Sequence, residues 1–360
     1  MKIAYANIKY HPNSIGGGNA HVFQFIRNAS LQGHEVWTWP YTRHPHGRVL
    51  PDGIFNRIKV LRSCEAILFR ITSGFPSQTQ LMKERYKRLL GAPKIIWEFN
   101  TIPEFGLLVG RTRAEVDRTV ETFRKYAKHC DLAVCVSDEI ACYVRDNIGV
   151  GKVITIPNGS DPNHFSPDQA VVPRLKAFNG RLNVVWMGSA GLNWTDFTAI
   201  ENAANLVLHS DLKDRVEFHL IAHGMPSMSD MPANIHFHGA EQYEKLPEWL
   251  AGMDVGLVCY KPGPGDYSSP LKFYDYLASG LAVITTGQPQ VKKVLCDIGQ
   301  QQSALDHGDA EGIVAVLKKF VERPDLLEDH KCKSRLLAVN QYSWEKTVRS
   351  VFDAIRGLDQ

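Results

Sequence analysis

The 360-residue sequence has no apolar run long enough to span a bilayer, and its start lacks the charged-then-apolar pattern of a secretory leader. Those two absences point to a cytoplasmic protein. Its seven cysteines are odd in number and form no C-x-x-C pair, so neither a disulfide framework nor a zinc site is expected. Reduced thiols, most of them in a core, fit better. Internal repeats and low-complexity runs are absent. The basic residues are not interleaved with aromatics as in a nucleic-acid-binding module, which argues against a nucleic-acid partner. No Asp-x-Asp pair occurs anywhere.

What is present is the composition of a globular protein, 44% hydrophobic and 22% charged, at a length that suits two domains. The net charge of +3 is unevenly placed. Residues 1–180 hold 24 Lys and Arg against 15 Asp and Glu, and the rest hold 17 against 23. A basic first half fits an anionic partner such as a phospholipid surface or a lipid-linked phosphate, and it fits a plain solvated face equally.

The chain opens with an apolar strand, Lys2–Ile8. A loop containing Gly16, Gly17 and Gly18 follows, then a helical pattern Asn19–Leu31 and a strand Gly33–Trp39. This is a Rossmann-like βαβ unit, whose glycines let backbone approach a ligand where the helix start favours phosphate. A dinucleotide site would need G-x-G-x-x-G and an acidic end to the second strand. Here the third position is His21 and the strand ends Trp39-Pro40-Tyr41-Thr42. Hydride transfer is a poor fit.

Strands are expected at Ala66–Ile71 and Lys94–Phe99, with a basic helix Gln78–Leu90 between them. At the end of the latter strand and just beyond it stand Glu98, Asn100 and Glu104, where open α/β sheets carry ligand and catalytic groups. A solvated turn is the competing reading. After Asp131–Val136 and Lys152–Ile156 comes a rigid turn, Pro157-Asn158-Gly159-Ser160-Asp161. A second strand–glycine loop–helix series opens at Leu182–Met187 and leads through Gly188, Ser189 and Asn193.

The most informative stretch is Ser268-Ser269-Pro270-Leu271-Lys272-Phe273-Tyr274-Asp275, running through Gly280 into the buried strand Leu281–Ile284. Ser269 suits an N-cap and Pro270 the first helical position. The free N–H groups at Ser269–Leu271 suit an anion such as phosphate, with Lys272 one turn in. Asp275 shares a face with Lys272, where its carboxylate can accept both hydroxyls of a ribose. An ordinary surface helix with a solvated Asp275 has the same spacing.

This stretch resembles the nucleotide-sugar-binding helix of the GT-B-fold glycosyltransferases of family 4. The Gly16–Gly18 loop, the Gly33-His34-Glu35-Val36 turn, the Ile156–Phe165 turn and the Ser343-Trp344 helix start are similar to that family in the same order. The resemblance implies an α/β GT-B fold, two Rossmann-like domains facing a central cleft. Residues 1–165 would be the acceptor-side domain, 166–180 a linker, 181–341 the nucleotide-sugar-binding domain, and 342–360 a helix crossing back to the first domain. It implies retaining, metal-independent transfer from a nucleotide-diphosphate sugar to a glycan or lipid-linked acceptor. No cofactor beyond that co-substrate is implied, and peripheral contact with the inner membrane face fits the basic half. The donor would meet Gly16–Gly18, Gly188, Ser189, Asn193, His223 and the stretch Asp266–Lys272 with Asp275, while Glu98, Asn100 or Glu104 would face the reacting centre.

Two departures stand out. The family's first acidic donor residue, eight before Asp275, falls on Tyr267, with Asp266 beside it. The family's arginine and lysine after the second domain's first strand fall in the neighbourhoods of Ser189 and Asn193. A non-catalytic nucleotide-sugar-binding subunit and a nucleotide-sugar epimerase of the same fold therefore stay open beside the transferase.

Overall fold

The computed structural model describes residues 1–11, 16–76, 93–191, 193–225, 228 and 231–359. The expected helix Gln78–Leu90 lies outside them. The first domain is built on seven parallel strands: β1 Lys2–Ala6, β2 Glu35–Thr38, β3 Arg48–Val49, β4 Ala66–Ile71, β5 Lys94–Phe99, β6 Leu132–Cys135 and β7 Val153–Thr155. Their order is β3-β2-β1-β4-β5-β6-β7. The second domain has six: β8 Leu182–Ser189, β9 Val216–His223, β10 Ile235–Gly239, β11 Val255–Cys259, β12 Ala282–Thr286 and β13 Ala304–Leu305, in the order β10-β9-β8-β11-β12-β13.

Parallel strands are covered by helices on both faces, so they read as continuous apolar runs rather than alternating ones. β4 (Ala-Ile-Leu-Phe-Arg-Ile) is buried throughout, and each sheet has a packed cluster on either face. Strand order reverses between β1 and β4 in one sheet and between β8 and β11 in the other. Ligands of open α/β sheets bind at such switch points, outside the strand carboxyl ends.

The last helix, Trp344–Arg356, is capped by the Ser343 hydroxyl. Its Val348, Val351, Phe352 and Ile355 recur at helical spacing and are buried against Phe25 and Ile26 of the first domain. At about 1.5–3 kcal/mol for each such side chain, this seam fixes the end of the chain to its beginning. Residues 166–180 carry a short 3-10 turn, Pro173–Phe178, and Leu175 is buried in the second domain's core.

The structure adds β3, β13 and a helix Ile54–Arg62 to the expected elements. It also moves a helix start. Pro270, not Ser269, occupies the N-cap position of the helix Leu271–Ala278. The Ser269 hydroxyl is drawn away to the Tyr274 hydroxyl, 2.7 Å off, and to the backbone N–H of Asn158 in the other domain at 3.4 Å.

Candidate functional site

A cavity of about 480 Å³ lies between the two sheets, lined from both domains by residues at or just beyond strand carboxyl ends. On the second-domain wall, Lys272 and Asp275 stand one helical turn apart. The Lys272 ammonium lies 4.0 Å from the centre of the Trp186 ring, a cation–π contact. No carboxylate among the described residues pairs with it, and burial pushes its pKa down to about 7. Gly188 makes the approach possible: a Cβ there would sit 3.0 Å from Lys272 Nζ, and the backbone has φ +148.

Asp275 is buried, and its Oδ1 accepts a 2.6 Å hydrogen bond from the Ser160 hydroxyl of the first domain. Burial raises its carboxyl to about 7, with the Asp161 charge adding to the rise and the Ser160 bond opposing it. The Asn158 amide donates to the Ser269 carbonyl at 2.8 Å. The mid-chain turn and the Ser269–Asp275 segment are thus joined by hydrogen bonds across the cleft.

On the first-domain wall, Gly17 and Gly18 open the helix Gly17–Leu31, whose first turn holds no acidic residue. A Cβ on Gly17 would lie 3.3 Å from Leu271 Cδ1, so the glycine loop meets the start of the second-domain helix. Two helix starts converge here, the first-domain one exposed at Gly17 and Gly18, and the first-turn N–H groups that a helix leaves without intrahelical partners favour an anion.

Behind them is a charged cluster. Arg70 and Glu98 are cross-strand neighbours in register on β4 and β5, and Arg70 Nη1 lies 3.5 Å from Glu98 Oε2. That oxygen also accepts the Tyr5 hydroxyl at 2.5 Å, while Glu98 Oε1 lies 3.0 Å from His21 Nε2. The other ring nitrogen of His21 faces Asn158 Oδ1 at 2.9 Å. Burial alone would raise the Glu98 carboxyl, but His21, Arg70 and the Tyr5 hydroxyl hold it down to about 2. At the end of β1, Asn7 takes a left-handed φ of 58 and its amide donates to the Arg70 carbonyl.

The cavity brings together Gly17, Gly18, Asn100, Gly188, Ser189, His223, Ser268, Ser269, Pro270, Leu271, Lys272 and Asp275 of the expected residues. Gly16 stands at the N-cap just outside. Glu98 lies beneath the wall, reaching it through His21 and Arg70. Glu104 is turned to the Tyr143 hydroxyl, 2.9 Å away, and Asn193 is exposed outside the lining. Asp266 folds back onto its own turn, accepting from the Gly263 N–H at 3.1 Å and facing His307. Tyr267 packs edge-on to Tyr143. Neither Asp266 nor Tyr267 is among the residues that line the cavity.

Arg70 and Tyr243, which no motif of the sequence marked, also line it, together with His21, Asn158 and Glu241. A lone arginine in an apolar strand was the signal for Arg70. Among the described residues, no group of three His, Cys, Asp or Glu is placed to hold a metal ion.

No family model matches the sequence. A Bacillus subtilis (strain 168) protein, assigned by name to teichuronic acid biosynthesis as the glycosyltransferase TuaH, is 25% identical over 193 residues. That match covers 52% of this chain and 47% of the relative, so the chain spans about half the length of the curated relative it matches. Solved structures cover nearly all of it. The sucrose-phosphate synthase of Thermosynechococcus elongatus superposes with a TM-score of 0.68 at 15% identity, covering 99% of this chain and 98% of that one. WaaG, a glycosyltransferase involved in lipopolysaccharide biosynthesis, gives 0.66 at 13% identity over 99% and 100%. Anabaena Alr3699/HepE, solved in complex with UDP-glucose, gives 0.66 at 11% over 99% and 100%. The chain has the GT-B architecture of these proteins: two Rossmann-like α/β domains facing a cleft.

Proposed function

We propose that this chain is a glycosyltransferase that moves a sugar from a nucleoside-diphosphate donor to a hydroxyl of a glycan or lipid-linked glycan, with retention and without a divalent cation. The observation that carries this reading is the pair Lys272 and Asp275, one turn apart on the cavity wall at a helix start. The ribose diol meets the Asp275 carboxylate. The diphosphate meets Lys272 and the N–H groups of the two helix starts, a preorganised set of donors for the charge that grows on the leaving group. The bond from the anomeric carbon to the β-phosphate oxygen breaks, the acceptor oxygen bonds to that carbon on the same face, and the leaving phosphate takes the acceptor proton. UDP-glucose in one structural neighbour and teichuronic acid biosynthesis in the name of the curated relative agree with this reading. The basic first half fits an acceptor held at an anionic membrane surface, and no described helix is long and apolar enough to cross a membrane.

Calorimetric titration with UDP-, GDP-, ADP- and dTDP-sugars should give heat with at least one of them. Asp275→Ala should then raise the donor KM roughly 10- to 100-fold, the worth of hydrogen bonds to a charged group. Absence of heat with all four nucleotide classes, or unchanged donor kinetics in the variant, removes the assignment. The place of Asp266 and Tyr267 outside the cavity lining favours a second reading, a subunit that binds the donor without turning it over. Slow release of free nucleoside diphosphate in water separates the transferase from it, and an epimerised donor would reveal the epimerase.

A further inference from the structure

We infer that the acceptor carries an anionic oxygen group, a phosphate or a carboxylate, near the attacked hydroxyl, and that Arg70 is the side chain that receives it. The inference rests on the transferase reading above and adds the chemical class of the acceptor. Arg70 is 7% exposed and lines the cavity from the first-domain side. Its buried Nη1 faces Glu98 in ion-pair range but makes no hydrogen bond. Glu98 does not saturate it: the nearer carboxylate oxygen stands 3.5 Å away and already accepts the Tyr5 hydroxyl, while the other faces His21. The carboxylate thus holds the guanidinium in place from beneath, while the side chain still forms part of the cavity wall. A planar fork of donors suits the paired oxygens of a phosphate or carboxylate.

The surroundings favour an anion over a neutral sugar. Thr72, Ser73, Asn100 and Thr101 line the same wall, all polar and uncharged. The acidic side chains that line the cavity, Glu241 and Asp275, both belong to the second domain. Lys272 and Arg70 are its lysine and arginine, one on each wall. The donor diphosphate accounts for Lys272. Arg70 is a second cationic side chain on the opposite, first-domain wall, and it suits a second anion.

The test uses the full chain with matched sugar pairs: glucose 6-phosphate against glucose, and glucuronate against glucose. Binding is measured with and without the nucleoside diphosphate selected by the donor titration. The charged member of one pair should bind at least about tenfold more tightly, a difference on the scale of one charge-assisted hydrogen bond. Which pair separates names the group. Arg70→Gln should abolish the difference and Arg70→Lys keep part of it, with nucleotide affinity changed less than about twofold. Equal binding within both pairs, or no binding of any member, overturns the proposal. So does an Arg70→Gln variant that keeps the wild-type melting temperature but loses nucleotide affinity as much as sugar affinity, since Arg70 would then serve the donor. The wild-type comparison needs no variant, so a misfolded Arg70→Gln protein cannot mask the answer. Failure of the donor titration alone would remove the transferase reading and leave the sugar comparison readable.

Discussion

Lys272 and Asp275 give the site a pH dependence with two limbs. The donor needs an ammonium opposite its diphosphate and a carboxylate opposite its ribose. Burial brings both groups to about 7 from opposite directions, lowering the lysine and raising the aspartate. Below that pH, Asp275 takes up a proton and can no longer accept from both hydroxyls. Above it, Lys272 loses its charge. Donor affinity should therefore peak near pH 7 and fall on either side, approaching tenfold per pH unit at the extremes. Titrations from about pH 5.5 to 9 would show it, a range that leaves ordinary carboxylates and lysines unchanged. Lys272→Arg should flatten the alkaline limb, because a guanidinium keeps its charge. A flat wild-type profile would take these two groups out of the donor site.

At the scale of elements, the helix Leu271–Ala278 is held to the sheet at one crowded point. A Cβ on Gly256 in β11 would lie 2.3 Å from Tyr276 Cδ2, and the Tyr276 hydroxyl accepts the Met187 N–H of β8 at 2.9 Å. Gly256→Ala should cost about 1–3 kcal/mol through overpacking, read from the urea midpoint. It should weaken donor binding in step, because Lys272 and Asp275 ride on the displaced helix. Lost stability with intact donor affinity would show that the helix is positioned elsewhere. The buried strands of both sheets were legible because their apolar runs are long. β3 is two exposed residues, and the helix Ile54–Arg62 buries only Leu61, so neither leaves a periodic trace. In the site, the glycine loop and the Lys272–Asp275 spacing could be read directly. Arg70 and Glu98 each show as a lone charge in an apolar strand, but their pairing depends on the β4–β5 register, which only the folded sheet sets. Asp266 lies outside the cavity lining for a local reason: the turn at Gly263, with φ +134, aims its carboxylate at its own backbone.

At the scale of the whole molecule, the two domains and the final crossover meet at the turn Pro157–Ser160. The Ser160 N–H donates to the Tyr342 carbonyl at 2.9 Å and its carbonyl accepts the Trp344 N–H at 2.8 Å, a parallel bridge between Ser160 and Ser343. The Thr347 hydroxyl donates to the Pro157 carbonyl at 3.1 Å. The same turn sends Asn158 to Ser269 and Ser160 to Asp275. Gly159 sits at the centre, where a Cβ would lie 2.7 Å from the Ser343 carbonyl carbon and 2.8 Å from Trp344 N and Tyr342 O. All three are backbone atoms and cannot swing aside. Gly159→Ala should therefore part the turn from the crossover, while the apolar face of the last helix keeps the chain folded. The expected loss is about 1–3 kcal/mol of stability, with faster amide exchange at Ser160 and Trp344. Donor affinity should fall as well, since Asn158 and Ser160 are the groups that touch Ser269 and Asp275. Gly151→Ala is the control: nothing lies within 4 Å of its Cβ, and it should stay within about 0.5 kcal/mol of wild type. If the two variants melt together and exchange alike, the turn is not what couples the domains to the donor site.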